Sequence, residues 1–167
     1  MIRAMRRRSV FAGTVVVALV ASTILAVVAL GPAGATPPAG FTPTLLAKGT
    51  TARAVTEQVG GMKFQAGGPV DIYSVHVAFD PGGTSGWHSH PGFVFVTVTV
   101  GTLTRYVSDC DKRRYTAGQV IVERPNQVLV VRNETSGSAE AITTQFFPGG
   151  TLNTRIDQPQ PAHCGVS

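Results

Sequence analysis

The chain has 167 residues, with 14 Lys and Arg against 9 Asp and Glu and a formal charge of +5. Arg3, Arg6, Arg7 and Arg8 supply four of those positive charges, and without them ten basic residues face nine acidic ones. A nearly neutral remainder excludes the broad basic face that nucleic-acid binding needs, and its length admits one domain with a real core but not two.

The N-terminal order is a basic start, an uncharged and mostly apolar run over 10–30, and small residues at Ala33-Gly34-Ala35. That is the order of a secretory signal, with a cut after Ala35. The apolar run has 21 residues and would just span a bilayer if it stayed attached. Its many small residues, and those at the cut, favour cleavage over an anchor. Arg7-Arg8 ahead of Ser9-Val10-Phe11 raises twin-arginine export as one route. The segment 1–35 is thus assigned as signal and the product as secreted or envelope-located, with membrane attachment only if the signal is retained.

Residues 36–51 begin with a run rich in Pro and Gly and read as a flexible leader. From 52 onward, short β-branched runs alternate with turn residues, which predicts strands over 52–58, 62–65, 70–79, 93–100, 102–107, 119–123, 128–132 and 139–147. No sustained 3.6-residue apolar period occurs after the signal, so the expected fold is all-β with little helix, a sandwich or barrel over 52–150. Lys112-Arg113-Arg114 reads as a solvated turn. Residues 151–167 form a C-terminal tail. The two cysteines, Cys110 and Cys164, lie in the exported part and pair most simply as one disulfide tying that tail to a loop. Such a bridge contributes about 4 kcal/mol on the chain-entropy view. Two free thiols, or a metal site using His163 and Cys164, are the rival readings.

The chemistry concentrates at Gly82-Gly83-Thr84-Ser85-Gly86-Trp87-His88-Ser89-His90. Residues i and i+2 of a strand share a face, so His88 and His90 can converge on one metal ion. Gly82, His88, His90 and Gly101 also fall at the spacings of the first cupin motif, G-x5-H-x-H-x3-4-E-x6-G. Gly118 and Asn133 match the second, G-x5-P-x-G-x2-H-x3-N. Over 70–147 the sequence therefore resembles the cupin superfamily, and Trp87-His88-Ser89-His90-Pro91-Gly92 is similar to small cupins likened to quercetin dioxygenase. The resemblance implies a single jelly-roll-like β-barrel and a cage of three histidines and one glutamate holding iron, manganese, nickel or zinc. It also implies a homodimer paired through outer sheets.

Two positions depart from that pattern. Val94 stands where the family's glutamate would be and Leu129 where its third histidine would be, so the cage becomes half apolar. Arg124 and Asn126 replace the proline and glycine of the second motif, and Asn126 still suits a left-handed turn. The expected site is then His88 and His90 with one weakly held divalent metal, Gln127 and His76 as possible extra ligands, and Trp87, Val94 and Leu129 around the pocket. Gln127 is two residues from Leu129 and would share its face. His76 depends on register, and parity with Val75, Val77 and Phe79 turns it outward. Glu123, next to Arg124, reads as a strand-end charge. Three functions follow: a barrel binding a small, largely apolar molecule without redox chemistry, a dioxygenase-like or isomerase-like enzyme using His88 and His90, and a structural envelope protein. Loss of the two ligand positions favours the first over an enzyme.

Overall fold

The computed structural model describes residues 34–166, and every regular element among them is a strand. In chain order these are β1 (Ala39–Thr50), β2 (Val55–Val59), β3 (Met62–Ala66), β4 (Val70–Thr84), β5 (His88–Ser89) and β6 (Phe93–Val100). They continue as β7 (Thr102–Val107), β8 (Lys112–Thr116), β9 (Val120–Glu123), β10 (Leu129–Arg132), β11 (Ala139–Pro148) and β12 (Ile156–Asp157). One antiparallel sheet follows the order β12-β5-β10-β4-β11-β6-β9, with β1 added on β4, β7 on β10 and β8 on β7. It curls into a barrel. β2 and β3 form a separate hairpin.

Alternation decides which side chains fill the barrel. In β6, Val94, Val96 and Val98 are buried while Phe93, Phe95 and Thr97 face outward. Across β11, the interior is completed by Val77 and Phe79 of β4, and Leu129 and Val131 of β10 join the same core. Each such apolar side chain contributes about 1.5–3 kcal/mol on burial. A second, smaller cluster lies outside the barrel wall, where Trp87 packs with Tyr106, Val130 and Cys164.

Two positions of the second motif, Asn126 and Asn133, serve structure. Asn126 adopts φ 59°, as expected of the glycine position it fills. Asn133 is fully buried; its amide donates to the Asp80 and Gly137 carbonyls at 3.0 and 2.7 Å, and its oxygen accepts from Thr135.

Two expectations need correction here. The stretch read as a flexible leader, 36–51, carries β1, a strand paired with β4 from Thr84 to Asp71. β1 is almost wholly exposed, so no buried alternation marks it, and as an edge strand it tolerates Pro43. Lys112-Arg113-Arg114 is not a turn but the start of β8, paired with β7. β4 and β5 do not pair with each other; β5 lies between β10 and β12. The segment 1–33, the bulk of the predicted signal, lies outside the described residues.

Candidate metal centre

A cavity of about 340 Å³ opens inside the barrel, walled by apolar side chains such as Phe41, Val75, Val77, Val96 and Val131. Its polar lining includes His88, His90, Glu123 and Arg155. His88 reaches the interior because the chain bends at Gly86. That residue has φ 66°, and a Cβ there would strike the Thr36 carbonyl oxygen, so only glycine fits.

The two imidazoles are held in the same tautomer. His88 Nδ1 lies 2.8 Å from the Gly86 carbonyl oxygen, and His90 Nδ1 lies 2.5 Å from that of Thr154. A carbonyl can only accept, so each Nδ1 carries the proton and donates it. Each Nε2 is then left with a free lone pair, the arrangement that outer-shell partners impose on metal-ligating histidines.

Glu123 completes the group. It is buried on β9 directly opposite Val94 of β6, and its Oε2 lies 3.4 Å from His90 Nε2. One donor atom from each of His88, His90 and Glu123 falls within 4.8 Å of the others. Burial holds His88 well below the usual histidine range, aided by the Arg155 charge, and lowers His90 in the same way. Burial also pushes the Glu123 carboxyl up to about 7, against the opposing pull of Arg155 and Arg105. The 3.4 Å contact is therefore not an ordinary ion pair, because burial disfavours charge on both partners. A lone pair and a carboxyl oxygen face each other, and either a proton on Glu123 or a cation between them satisfies both.

The donor set fits a metal. Two ligand atoms on one ion at about 2.0–2.2 Å stand about 2.8–3.6 Å apart for angles between square and tetrahedral, and the His90–Glu123 separation of 3.4 Å lies in that span. Two neutral imidazoles and a carboxylate suit a divalent transition ion.

The other predicted site residues are placed as follows. Val94 lines the cavity as expected. Leu129 does not; it is fully buried in the core, and Val131 presents to the cavity from the same strand. Trp87 is not a pocket residue either. Its neighbour His88 points inward, so alternation turns Trp87 outward, where its Nε1–H donates to the Val166 carbonyl at 2.8 Å. Gln127 is no ligand. β10 begins only at Leu129, so strand parity does not reach it, and its side chain accepts from the Arg124 N–H in the preceding turn. His76 faces away from the cavity and sits 3.0 Å from Glu140, which fits its parity. Cys110 and Cys164 form the disulfide, with Cα atoms 5.5 Å apart, so neither they nor His163 make the rival metal site.

Sequence reasoning missed two residues. Glu123 shares strand parity with Ile121, which is wholly buried, but Val120 and Val122 make the opposite face equally apolar in sequence, so parity did not single it out. Arg155 had no local signal, because it belongs to the tail. There β12 pairs with β5, Arg155 Nη2 donates to the Ser85 carbonyl at 2.6 Å, and the disulfide secures the end.

Residues 75–144 match the family described as Cupin domain. No curated protein matches the chain. Among solved structures, an oxalate oxidase in complex with the substrate analogue glycolate is similar at 23% identity, over 44% of this chain and 41% of that one, with a TM-score of 0.41. A Cupin 2 conserved barrel domain protein from Salinispora arenicola gives 20% identity over 47% and 64%, with a TM-score of 0.43. A cupin-like protein from Thermotoga maritima gives 20% over 57% and 80%, with a TM-score of 0.45. The chain matches about two-fifths of the length of the oxalate oxidase.

Proposed function

The chain belongs to the cupin superfamily, and on that premise we propose that it is an exported barrel holding one divalent metal ion on His88, His90 and Glu123 beside an apolar small-molecule cavity. The observation that carries this is the fixed tautomer of both imidazoles, whose Nε2 atoms are left to converge with a buried carboxyl. A bound iron, manganese, nickel or zinc ion would supply Lewis acidity toward an oxygen of the small molecule. The chain's own residues orient the rings, hold Glu123 in a dry wall and keep water out with valine and phenylalanine side chains. Glu123 supplies the carboxylate that Val94 lacks, which removes half of the reason for reading the barrel as non-catalytic. Export rests on the predicted signal, and the Cys110–Cys164 bridge supports it, since such bonds persist in oxidising compartments.

Elemental analysis tests the metal site. The chain, purified after growth with iron, manganese, nickel and zinc, is expected to carry close to one equivalent of one of them. His88→Ala and Glu123→Gln should each weaken retention by about tenfold or more, as loss of a ligand exceeds loss of an outer-shell partner. Substoichiometric metal in the parent protein, unchanged in both variants, would overturn the reading.

A further inference from the structure

We propose that Arg155 makes the cavity a receptor for a small carboxylate with an apolar body. The proposal rests on the metal-site reading and adds to it the charge and shape of the ligand.

Arg155 lines the cavity together with His88, His90 and Glu123 but reaches it from the C-terminal tail. Its fork is only partly engaged. Nε donates to Asp157 at 2.8 Å and Nη2 to the Ser85 carbonyl at 2.6 Å, while Nη1 has no hydrogen-bond partner among the described residues. Those two contacts fix the plane of the guanidinium, so the remaining donors are preorganised.

Charge balance points the same way. Asp157 sets one negative charge against Arg155, and Glu123 sets one against a divalent ion carrying two, so one positive charge is left over in a largely apolar chamber. An uncompensated buried charge is costly, and a monoanion cancels it. The anion needs an apolar body because most of the wall is apolar, with Pro43, Leu45 and Tyr73 joining the valines and phenylalanines. A volume of about 340 Å³ limits that body to a small one, at the low end of ligand pockets.

Isothermal titration of the metal-loaded full chain with 3-phenylpropionate, 3-phenylpropanamide and inorganic phosphate tests this. The carboxylate is expected to bind about tenfold more tightly than its neutral amide, as a charge-assisted hydrogen bond outweighs a neutral one, and phosphate should give no heat at the same concentrations. Arg155→Gln should remove the carboxylate preference, and Arg155→Lys should keep part of it. The comparison of the two ligands in the parent protein needs no variant, so it stands even if Arg155→Gln loosens the tail. Equal binding of carboxylate and amide, or an undiminished preference in a folded Arg155→Gln protein, overturns the proposal. So does phosphate binding as tightly as the carboxylate. Metal uptake with no carboxylate preference removes the proposal and leaves the metal site standing. If no metal is taken up, the metal reading falls, and the carboxylate-over-amide preference of the metal-free protein then decides Arg155 alone.

Discussion

Val94 and Glu123 face each other across β6 and β9, and this one pair changes what the missing glutamate of the cupin pattern means. Directly opposed residues have Cβ atoms about 4.5–5.5 Å apart, so a carboxylate moved from one strand to its partner still reaches the same region of the barrel. A frame counted along one strand finds only valine, because the replacement comes from a segment about thirty residues later. Nor does the local sequence favour Glu123, since the adjacent Arg124 suggests a solvated pair. Only the burial of Ile121 two residues earlier puts Glu123 inside. Leu129 has no such replacement, and the cage keeps two histidines rather than three. The transposition is testable. Glu123→Val should lose metal retention, and adding Val94→Glu in the same chain should restore at least part of it, read as bound metal per chain by elemental analysis. Failure of the double variant to recover any metal, while remaining folded by circular dichroism, would show that β9 positions the carboxylate in a way β6 cannot.

Sequence reading found the strands whose two faces differ, and also the hairpin β2–β3, which is exposed on both. β6 alternates between buried and exposed positions and most of β11 between buried and half-buried ones, so their periodicity is visible. β1 and β12 were not legible because their partners, rather than their own patterns, hold them in place. Asp71 shows how β1 is fastened. It accepts from the Thr50 hydroxyl at 2.5 Å, lies 3.3 Å from Lys48 Nζ, and accepts from the Gly150 N–H at 3.1 Å. The Thr50 hydrogen bond leads the effects that hold its carboxyl below the usual aspartate value of 3.8, with the Gly150 N–H and Lys48 adding to it against the opposing cost of burial. A depressed folded-state value means that this carboxylate stabilises the fold above the unfolded-state value, and that the contribution is lost as pH falls through the folded one. Asp71→Asn should therefore lower Tm at pH 7, and the gap from the parent should narrow as the pH is taken below that of a free aspartate. A gap that is constant from neutral to acid pH would mean that the carboxylate's charge is not what fastens β1.

At the scale of the whole molecule, the glycine and histidine spacing was enough to specify a barrel, but not to show that the barrel depends on its tail. The tail sets the His90 tautomer through the Thr154 carbonyl, delivers Arg155, and adds β12 beside β5. Its far end is held by the Cys110–Cys164 bridge and by the Trp87 indole on Val166. Cys110 and Cys164 are separated by 54 positions, and closing a loop of that size limits the unfolded chain by about 4 kcal/mol. Replacing both cysteines with serine is expected to lower Tm by about 10–20 °C. Stability alone does not distinguish a staple from a part of the site, so metal affinity should be measured well below that Tm, by competition with a chelator. With the tail loosened, His90 loses the acceptor that fixes its ring, and affinity should fall by about tenfold, the scale of an outer-shell loss. Metal affinity unchanged at a temperature where the serine variant is fully folded would mean that β12 and the Thr154 contact hold the tail on the site without the bridge.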